Sequence, residues 1–105
     1  MKLQDLDLML KTICPQTYEN KAPAGVSRFI VWHRYGTQST CGDDRNLLDL
    51  PKIQIDILMH TTQDDLVDDV CSALGNMGLT YSLQDLNVYD EDYNALRTVL
   101  QLVVA

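Results

Sequence analysis

The side chains of this 105-residue chain best suited to catalysis or metal binding are its two histidines and three cysteines. His33 and His60 stand on segments that are predicted to be neighbouring strands, whereas Cys14, Cys41 and Cys71 are far apart and form no C-x-x-C pair. A zinc site needs further ligands at short spacing, and a nucleophilic Cys41 paired with a histidine needs a supporting motif. Neither is present. The pattern favours reduced thiols and locally hydrogen-bonded histidines, and it predicts no catalytic residue, no cofactor and no metal.

Four aspartates form a second cluster with possible chemistry, namely Asp64, Asp65, Asp68 and Asp69. At helical spacing these carboxylates fall on one side of a helix, and paired carboxylates are ligands for Ca²⁺ or Mg²⁺. Carboxylates on a helix, without carbonyl groups from a loop, make a poor cage for such an ion. The pattern therefore favours a solvated helix face, with a contact to a basic surface of a partner as the alternative.

Length and composition fit one globular domain over residues 1–105. The hydrophobic fraction is 46% and the net charge is −7. A negative surface repels phosphate and so disfavours nucleic-acid binding, although a protein that surrounds DNA without gripping it can also be acidic. No apolar run reaches the roughly 20 residues of a membrane span, the first residues do not resemble a signal peptide, and no glycine-rich phosphate loop occurs. We therefore expect no membrane partner and no small-molecule substrate.

The spacing of apolar residues divides the chain into two helices and four strands. Helices are predicted over residues 2–13 and from about Gln63 to Met77. Strands are predicted over residues 28–35, from Ile53 to about 59, over 79–89 with a bulge near Gln84 and Asp85, and over 96–104. The expected fold is α+β, with two helices packed on an antiparallel sheet of about four strands in the order α-β-β-α-β-β.

Three residues carry more specific expectations. Thr62 is the predicted N-cap of the second helix, because its hydroxyl precedes Asp65 at the spacing of a weak capping box. Gly78 is predicted to end that helix in the left-handed conformation. Trp32 fits either the core or the centre of a protein interface, where tryptophan is enriched.

The segment of residues 36–50 is the main candidate for a contact with a partner. It is long for a hairpin loop and is therefore either a flexible loop or an extended β-arm. A long ordered arm buries too little surface by itself to offset its chain entropy, so such arms usually meet a partner. An ion-pair contact through Asp43, Asp44 and Arg45 and a solvated loop tip are equally consistent with the sequence. The candidate interface residues are Thr40, Asp43, Asp44, Arg45, Asn46, Leu47 and Leu48.

The order of these elements resembles a known family. A short helix leads to Ala22-Pro-Ala-Gly and the strand Phe29-Ile-Val-Trp-His-Arg-Tyr35, and a polar arm leads to Ile53-Gln-Ile-Asp-Ile57. The helix Leu66-Val-Asp-Asp-Val-Cys-Ser-Ala-Leu74 and an apolar last strand follow. Over residues 3–104 this resembles the small tail terminator, or tail-completion, proteins of long-tailed bacteriophages and prophages.

The resemblance implies a non-enzymatic subunit of a hexameric ring at the head-proximal end of the phage tail. Such a ring stops growth of the tail tube and offers the surface to which the filled head joins. The implied partners are further copies of the chain, the tail-tube protein and a head-completion or connector protein, and DNA passes through without specific binding. The implied location is the virion, after assembly in the bacterial cytoplasm. The family has no catalytic residues to carry over.

Three other functions fit the sequence. One is a head–tail connector or minor capsid protein of the same assembly region, and another is a prophage-encoded module that binds a host protein. The third is a small enzyme that uses Cys41 or His60.

Overall fold

A computed structural model describes residues 2–42 and 45–104, and the side chains of residues 39–49 fall outside the description. The elements are α1 (Leu3–Ile13), β1 (Thr17–Glu19), β2 (Phe29–Gly42), β3 (Arg45–Met59), α2 (Leu66–Asn76), β4 (Tyr81–Asp90) and β5 (Ala95–Val103). The strands form one sheet in the spatial order β1-β2-β3-β5-β4. The fold belongs to the expected α+β class.

The sheet differs from the expected one because it has five strands and is mixed. The additional strand is β1, which runs parallel to β2 with Thr17 opposite Ile30 and Glu19 opposite Trp32. Strand β1 has only three residues, Thr17–Glu19. A segment this short shows no period of two, so no pattern in the sequence marks it as a strand. The remaining strand pairs are antiparallel, as predicted.

Both helices pack on the same face of the sheet and enclose the main core. The alternating Ile53, Ile55, Ile57 and Met59 of β3 point to this face, and each is at most 2% exposed. The helices contribute buried residues at helical spacing, which are Leu6, Leu10, Leu66, Val70 and Leu74. The change from period two to helical period in the sequence therefore corresponds to the two sides of one core.

The opposite face of the sheet is covered only at one end, by the chain that follows β1. Phe29 and Leu58 are buried there beside Ala22, and the Phe29 ring meets Tyr93 edge to face with centroids 5.0 Å apart. Strand β2 is therefore covered on both sides near its start. The rest of this face carries the polar residues Gln54, Asp56 and Gln101 beside the buried Val99, and it is called the open face below.

Helix α2 does not begin as predicted. Its N-cap position is Asp65, which makes no capping hydrogen bond, and the predicted cap Thr62 lies outside the helix. The carboxylate of Asp64 instead accepts from the Leu66 backbone N–H at 3.0 Å. A carboxylate two residues before the first helical residue satisfies one of the free N–H groups as well as a threonine hydroxyl does.

The C-terminal end of α2 agrees with the prediction. Gly78 has φ of +76°, its N–H donates to the Gly75 carbonyl, and the Leu79 N–H donates to the Leu74 carbonyl. These two bonds define a Schellman motif, which requires a left-handed residue at the position of Gly78.

Two glycines near this helix end are expected to respond in opposite ways to the same substitution. Gly78→Ala should lower the free energy of unfolding by about 1 kcal/mol, because alanine disfavours a positive φ. Gly75→Ala should raise it by about 0.5–1 kcal/mol, because alanine is the better helix former. A Cβ at either position has open space around it, so packing should not obscure the difference. Urea unfolding of both variants tests this, and equal signs would contradict the assignment of Gly78 to the cap.

Candidate subunit interface

The segment of residues 36–50 is built as a β-arm and not as an irregular loop. Strands β2 and β3 stay paired along it, from Thr37 opposite Pro51 to Gly42 opposite Arg45, with a register shift after Thr40. Of the two alternatives predicted for this segment, the β-arm is confirmed. The arm is defined here as residues 36–50.

The arm continues beyond the strands that flank it at its base. Pairing of β1 with β2 ends at Trp32, and pairing of β5 with β3 ends at Lys52. Beyond those points, the described backbone of the arm is a two-stranded ribbon with both outer edges unpaired. The chain is correspondingly elongated, with extents of 49 × 26 × 22 Å and a radius of gyration of 14.6 Å, against about 13 Å for a compact chain of this length.

A two-stranded ribbon is at best marginally stable in water. No buried core residue of the described part of the chain lies within residues 36–50. Contacts with another chain would stabilise the unpaired edges of its described backbone.

The predicted interface residues whose backbone is described lie at the far end of the arm. In the backbone register Thr40 is opposite Leu48, Asn46 is opposite Cys41, and Arg45 is opposite Gly42. Asp43 and Asp44 lie outside the described residues, and so do the side chains of Thr40, Arg45, Asn46, Leu47 and Leu48. Their contacts with a partner remain a prediction.

Polar and aromatic side chains contact one another at the base of the arm. The Lys52 ammonium lies 5.3 Å from the centroid of the Tyr35 ring, a cation–π contact. Arg34 donates to the Thr37 hydroxyl at 2.6 Å and to the Gly36 carbonyl at 3.3 Å. The backbone of Val104 also donates to the Pro51 carbonyl at 3.0 Å. These contacts link both strands at the base of the arm to each other and to the end of β5.

A chain of polar side chains crosses the open face next to the arm base. Gln101 donates to Gln54 at 3.1 Å, and Gln54 donates to Asp56 at 3.0 Å. The Tyr35 hydroxyl lies 3.5 Å from the side-chain amide oxygen Oε1 of Gln101. No local pattern in the sequence marks this group, although the polar residues that alternate with the isoleucines of β3 indicate a solvated face. The arrangement links β2, β3 and β5 through side-chain hydrogen bonds.

The histidines and cysteines do not form a reactive site in the described part of the chain. His33 is opposite Gln54, six residues before His60, so the two histidines are about 20 Å apart along the sheet. Cys14 is buried, Cys71 is partly buried against the core, and the side chain of Cys41 falls outside the description. An interaction with the Cys71 thiol raises the pKa of Tyr81. Residues 2–42 and 45–104 contain no group of three side chains able to hold a metal ion.

Trp32 belongs to the core and not to an exposed interface. Its side chain is 4% exposed, and its indole N–H donates to the Asp7 carboxylate of α1 at 2.8 Å. Lys11 lies 2.8 Å from the same carboxylate. Burial by itself raises the pKa of Asp7, but the hydrogen bonds from Lys11 and Trp32 outweigh it, so the pKa lies below its ordinary value. Of the two expected roles for Trp32, core packing is confirmed.

The four aspartates near the start of α2 lie in two different environments. Asp65, Asp68 and Asp69 are exposed, as expected for a solvated face. Asp64 instead accepts two hydrogen bonds from Arg28, at 2.6 and 2.9 Å. The bond from Arg28 lowers the pKa of Asp64 and outweighs the opposing effect of burial. The cluster therefore includes one ion pair that joins α2 to the start of β2, which the sequence analysis missed because its partner is 36 residues away.

Asp64→Asn is expected to lower the free energy of unfolding by about 1 kcal/mol at pH 7, the upper range for a solvent-exposed pair. Since the pKa of Asp64 is lowered on folding, its contribution is full above the ordinary value near 3.8 and is lost as the pH falls through the folded pKa. The difference between wild type and variant should therefore shrink below pH 4. Glu91→Gln in the exposed turn is the control. A difference that does not change between pH 7 and pH 2 would contradict the ion pair.

No described helix combines the length and the apolar character needed to cross a membrane. No model of a known protein family matches the chain, and no curated protein matches it.

Proposed function

We propose that this protein is a structural, non-enzymatic subunit of a long-tailed bacteriophage or prophage, which caps the tail tube and joins the tail to the head. The observation that carries the proposal is the β-arm, whose described backbone is a two-stranded ribbon with both outer edges unpaired. Such an element adds no stability to an isolated subunit, and it suits a protein that acts by contacting other chains. The order of elements that resembles the tail terminator family supports the same function.

In this proposal, copies of the chain form a closed ring, with six as the number that the resemblance implies. One side of the ring would contact the tail-tube protein, and the other would contact the head-completion or connector protein. The net charge of −7 suits a ring through which DNA passes without being held, because an acidic surface repels the phosphate backbone.

The proposal is tested by deleting the gene from the phage that carries it and imaging the lysate by negative-stain electron microscopy. The expected result is overgrown tail tubes and filled heads without tails, and purified protein added to the extract should restore joined particles. A connector or minor capsid protein would instead leave tails of normal length. Normal infectious virions would contradict a role in assembly.

A further inference from the structure

We propose that the outer edge of β4 is the docking surface for the arm of a neighbouring copy, which lies against it through the outer edge of its β2. This inference rests on the proposed function, because it assigns the two halves of the contact between subunits. The acceptor half lies outside the residues that the sequence marked as an interface.

Strand β4 ends the sheet on the side opposite to the arm-bearing β2, and its outer edge has no partner among the described residues. Four large apolar side chains of this strand are at least half exposed, namely Leu83 at 50%, Leu86 at 55%, Val88 at 50% and Tyr89 at 57%. Single exposed apolar residues are ordinary, but a run of them on an edge strand is a site for pairing with another chain.

The apolar side chains of β4 lie on both faces of the sheet. Leu83 is opposite Leu100, whose side chain is buried under the helices, whereas Val88 is opposite Arg97 of the open face. Cross-strand partners share a face, so the edge is apolar above and below. A partner that covers only one face would leave half of this surface in water, whereas a strand added alongside β4 would cover both.

A bulge shapes the middle of the edge. The register shifts on both sides of Asp85, and Asn87 has φ of +53°. The backbone of Asn87 donates to the Thr98 hydroxyl at 3.1 Å. A regular ladder is therefore available only at residues 81–83 and 88–90, and the side chain of Leu86 is exposed between them. The contact is expected to combine backbone pairing at the ends of β4 with apolar contact in the middle.

The arm of a second copy fits this edge in length and in charge. From His33 to Gly42 the outer edge of β2 has no partner in the described backbone, a stretch as long as β4. Strand β2 contains Arg34 and no carboxylate. Strand β4 contains no basic residue and two aspartates, of which Asp90 lies 3.6 Å from Arg97 of β5 and Asp85 makes no ion pair among the described residues. In a protein with net charge −7, most contacts between copies are repulsive, and this pair of strands is of opposite sign.

The docking surface continues past the end of β4. A groove of about 550 Å³ runs from Tyr81 and Ser82 to Tyr35 and Leu50 at the arm base of the same chain. An arm lying along β4 would enter this groove and meet the base of the receiving chain's own arm. Each chain then gives one arm and receives one, which is a head-to-tail contact and is able to close into a ring.

The test uses the double variant Leu86→Lys, Val88→Lys and the control Leu8→Lys, whose position on α1 is 54% exposed. Lysines at exposed positions should leave folding intact, which circular dichroism and thermal unfolding confirm. Buried in the proposed contact, two unpaired ammonium groups should weaken association at least about 100-fold. Light scattering over a range of concentrations, alone and with purified tails, is expected to show loss of assembly for the double variant and wild-type assembly for the control.

A mixing experiment tests the head-to-tail arrangement. The double-lysine variant keeps its arm. A variant in which Asn-Gly replaces residues 39–49, between the opposed residues Gln38 and Leu50, keeps both its β4 edge and the groove. Neither should assemble alone, and an equal mixture should give a 1:1 heterodimer. Wild-type assembly by the double-lysine variant, or a mixture that stays monomeric while wild type assembles, would overturn the β4 contact and leave the proposed function standing. A wild-type chain that stays monomeric alone and on tails would overturn both.

Discussion

Replacement of residues 35–52 by Asn-Gly is expected to give a folded protein that no longer assembles. The new turn joins Arg34 to Ile53, which are opposite each other in the register, and Asn-Gly favours the type I′ turn that connects such a pair. The buried residues that the structure describes lie outside the deleted segment. The variant loses the contacts of Tyr35 with Gln101 and Lys52, the Lys52–Val103 pairing and the hydrogen bond from Val104 to Pro51, but it also closes a shorter loop. The free energy of unfolding should therefore change by no more than about 1 kcal/mol.

The loss of assembly should be complete within the range of a light-scattering measurement, because every copy loses the element that it gives to its neighbour. A control in which residues 36–50 are replaced by an equal number of glycines and serines keeps the chain length but removes the ordered strand edges. This control should also fail to assemble. Assembly by the glycine–serine variant would show that length is sufficient, and assembly by the deletion variant would show that the arm is not an interface.

Much of the fold could be predicted from the sequence, because it follows from local spacing. The alternating isoleucines of β3, the helical spacing of Leu66, Val70 and Leu74, and the glycine at the end of α2 all act within a few residues. The bulge in β4 was also predicted, near Gln84 and Asp85. Each of these features is set by backbone geometry or by a single buried face.

The features that the sequence analysis missed depend on residues that are distant in the chain. Strand β1 exists only as the parallel neighbour of β2, and Asp64 acts as a partner of Arg28 and not as part of a solvated face. The apolar edge of β4 was visible as Leu83, Leu86 and Val88, but only the strand order shows that this strand is at the edge. The sequence pattern alone does not distinguish an edge strand from a central one, because both are enriched in the same β-branched and aromatic residue types.

The contrast between β3 and β4 follows from their places in the sheet. The helices cover the centre of the sheet, so the apolar face of β3 is buried within the chain, whereas α1 and α2 leave Leu83 and Tyr89 of β4 exposed. On the other side of the sheet, β2 continues into the arm past the point where its pairing with β1 ends. The two surfaces that lack partners thus lie on opposite sides of one sheet, which is the arrangement that a head-to-tail contact needs.

Trp32→Ala is expected to lower the free energy of unfolding by about 3–5 kcal/mol, the range for loss of a large buried aromatic side chain. The substitution removes a side chain that is 4% exposed and leaves the partly buried Asp7 carboxylate without its indole donor. This is a large share of the 5–15 kcal/mol that stabilises a typical domain. Urea unfolding at pH 7 provides the measurement.

Trp32→Phe separates packing from hydrogen bonding. Phenylalanine retains most of the apolar volume and loses only the indole N–H, so the expected cost is about 1–2 kcal/mol. In both variants assembly should weaken only as far as the folded fraction falls, because Trp32 contacts α1 and the core and not a partner. If Trp32→Ala were to leave the free energy of unfolding within 1 kcal/mol of wild type but abolish assembly, Trp32 would be an interface anchor. The core described here, in which α1 is held to the sheet through Asp7, would then be wrong.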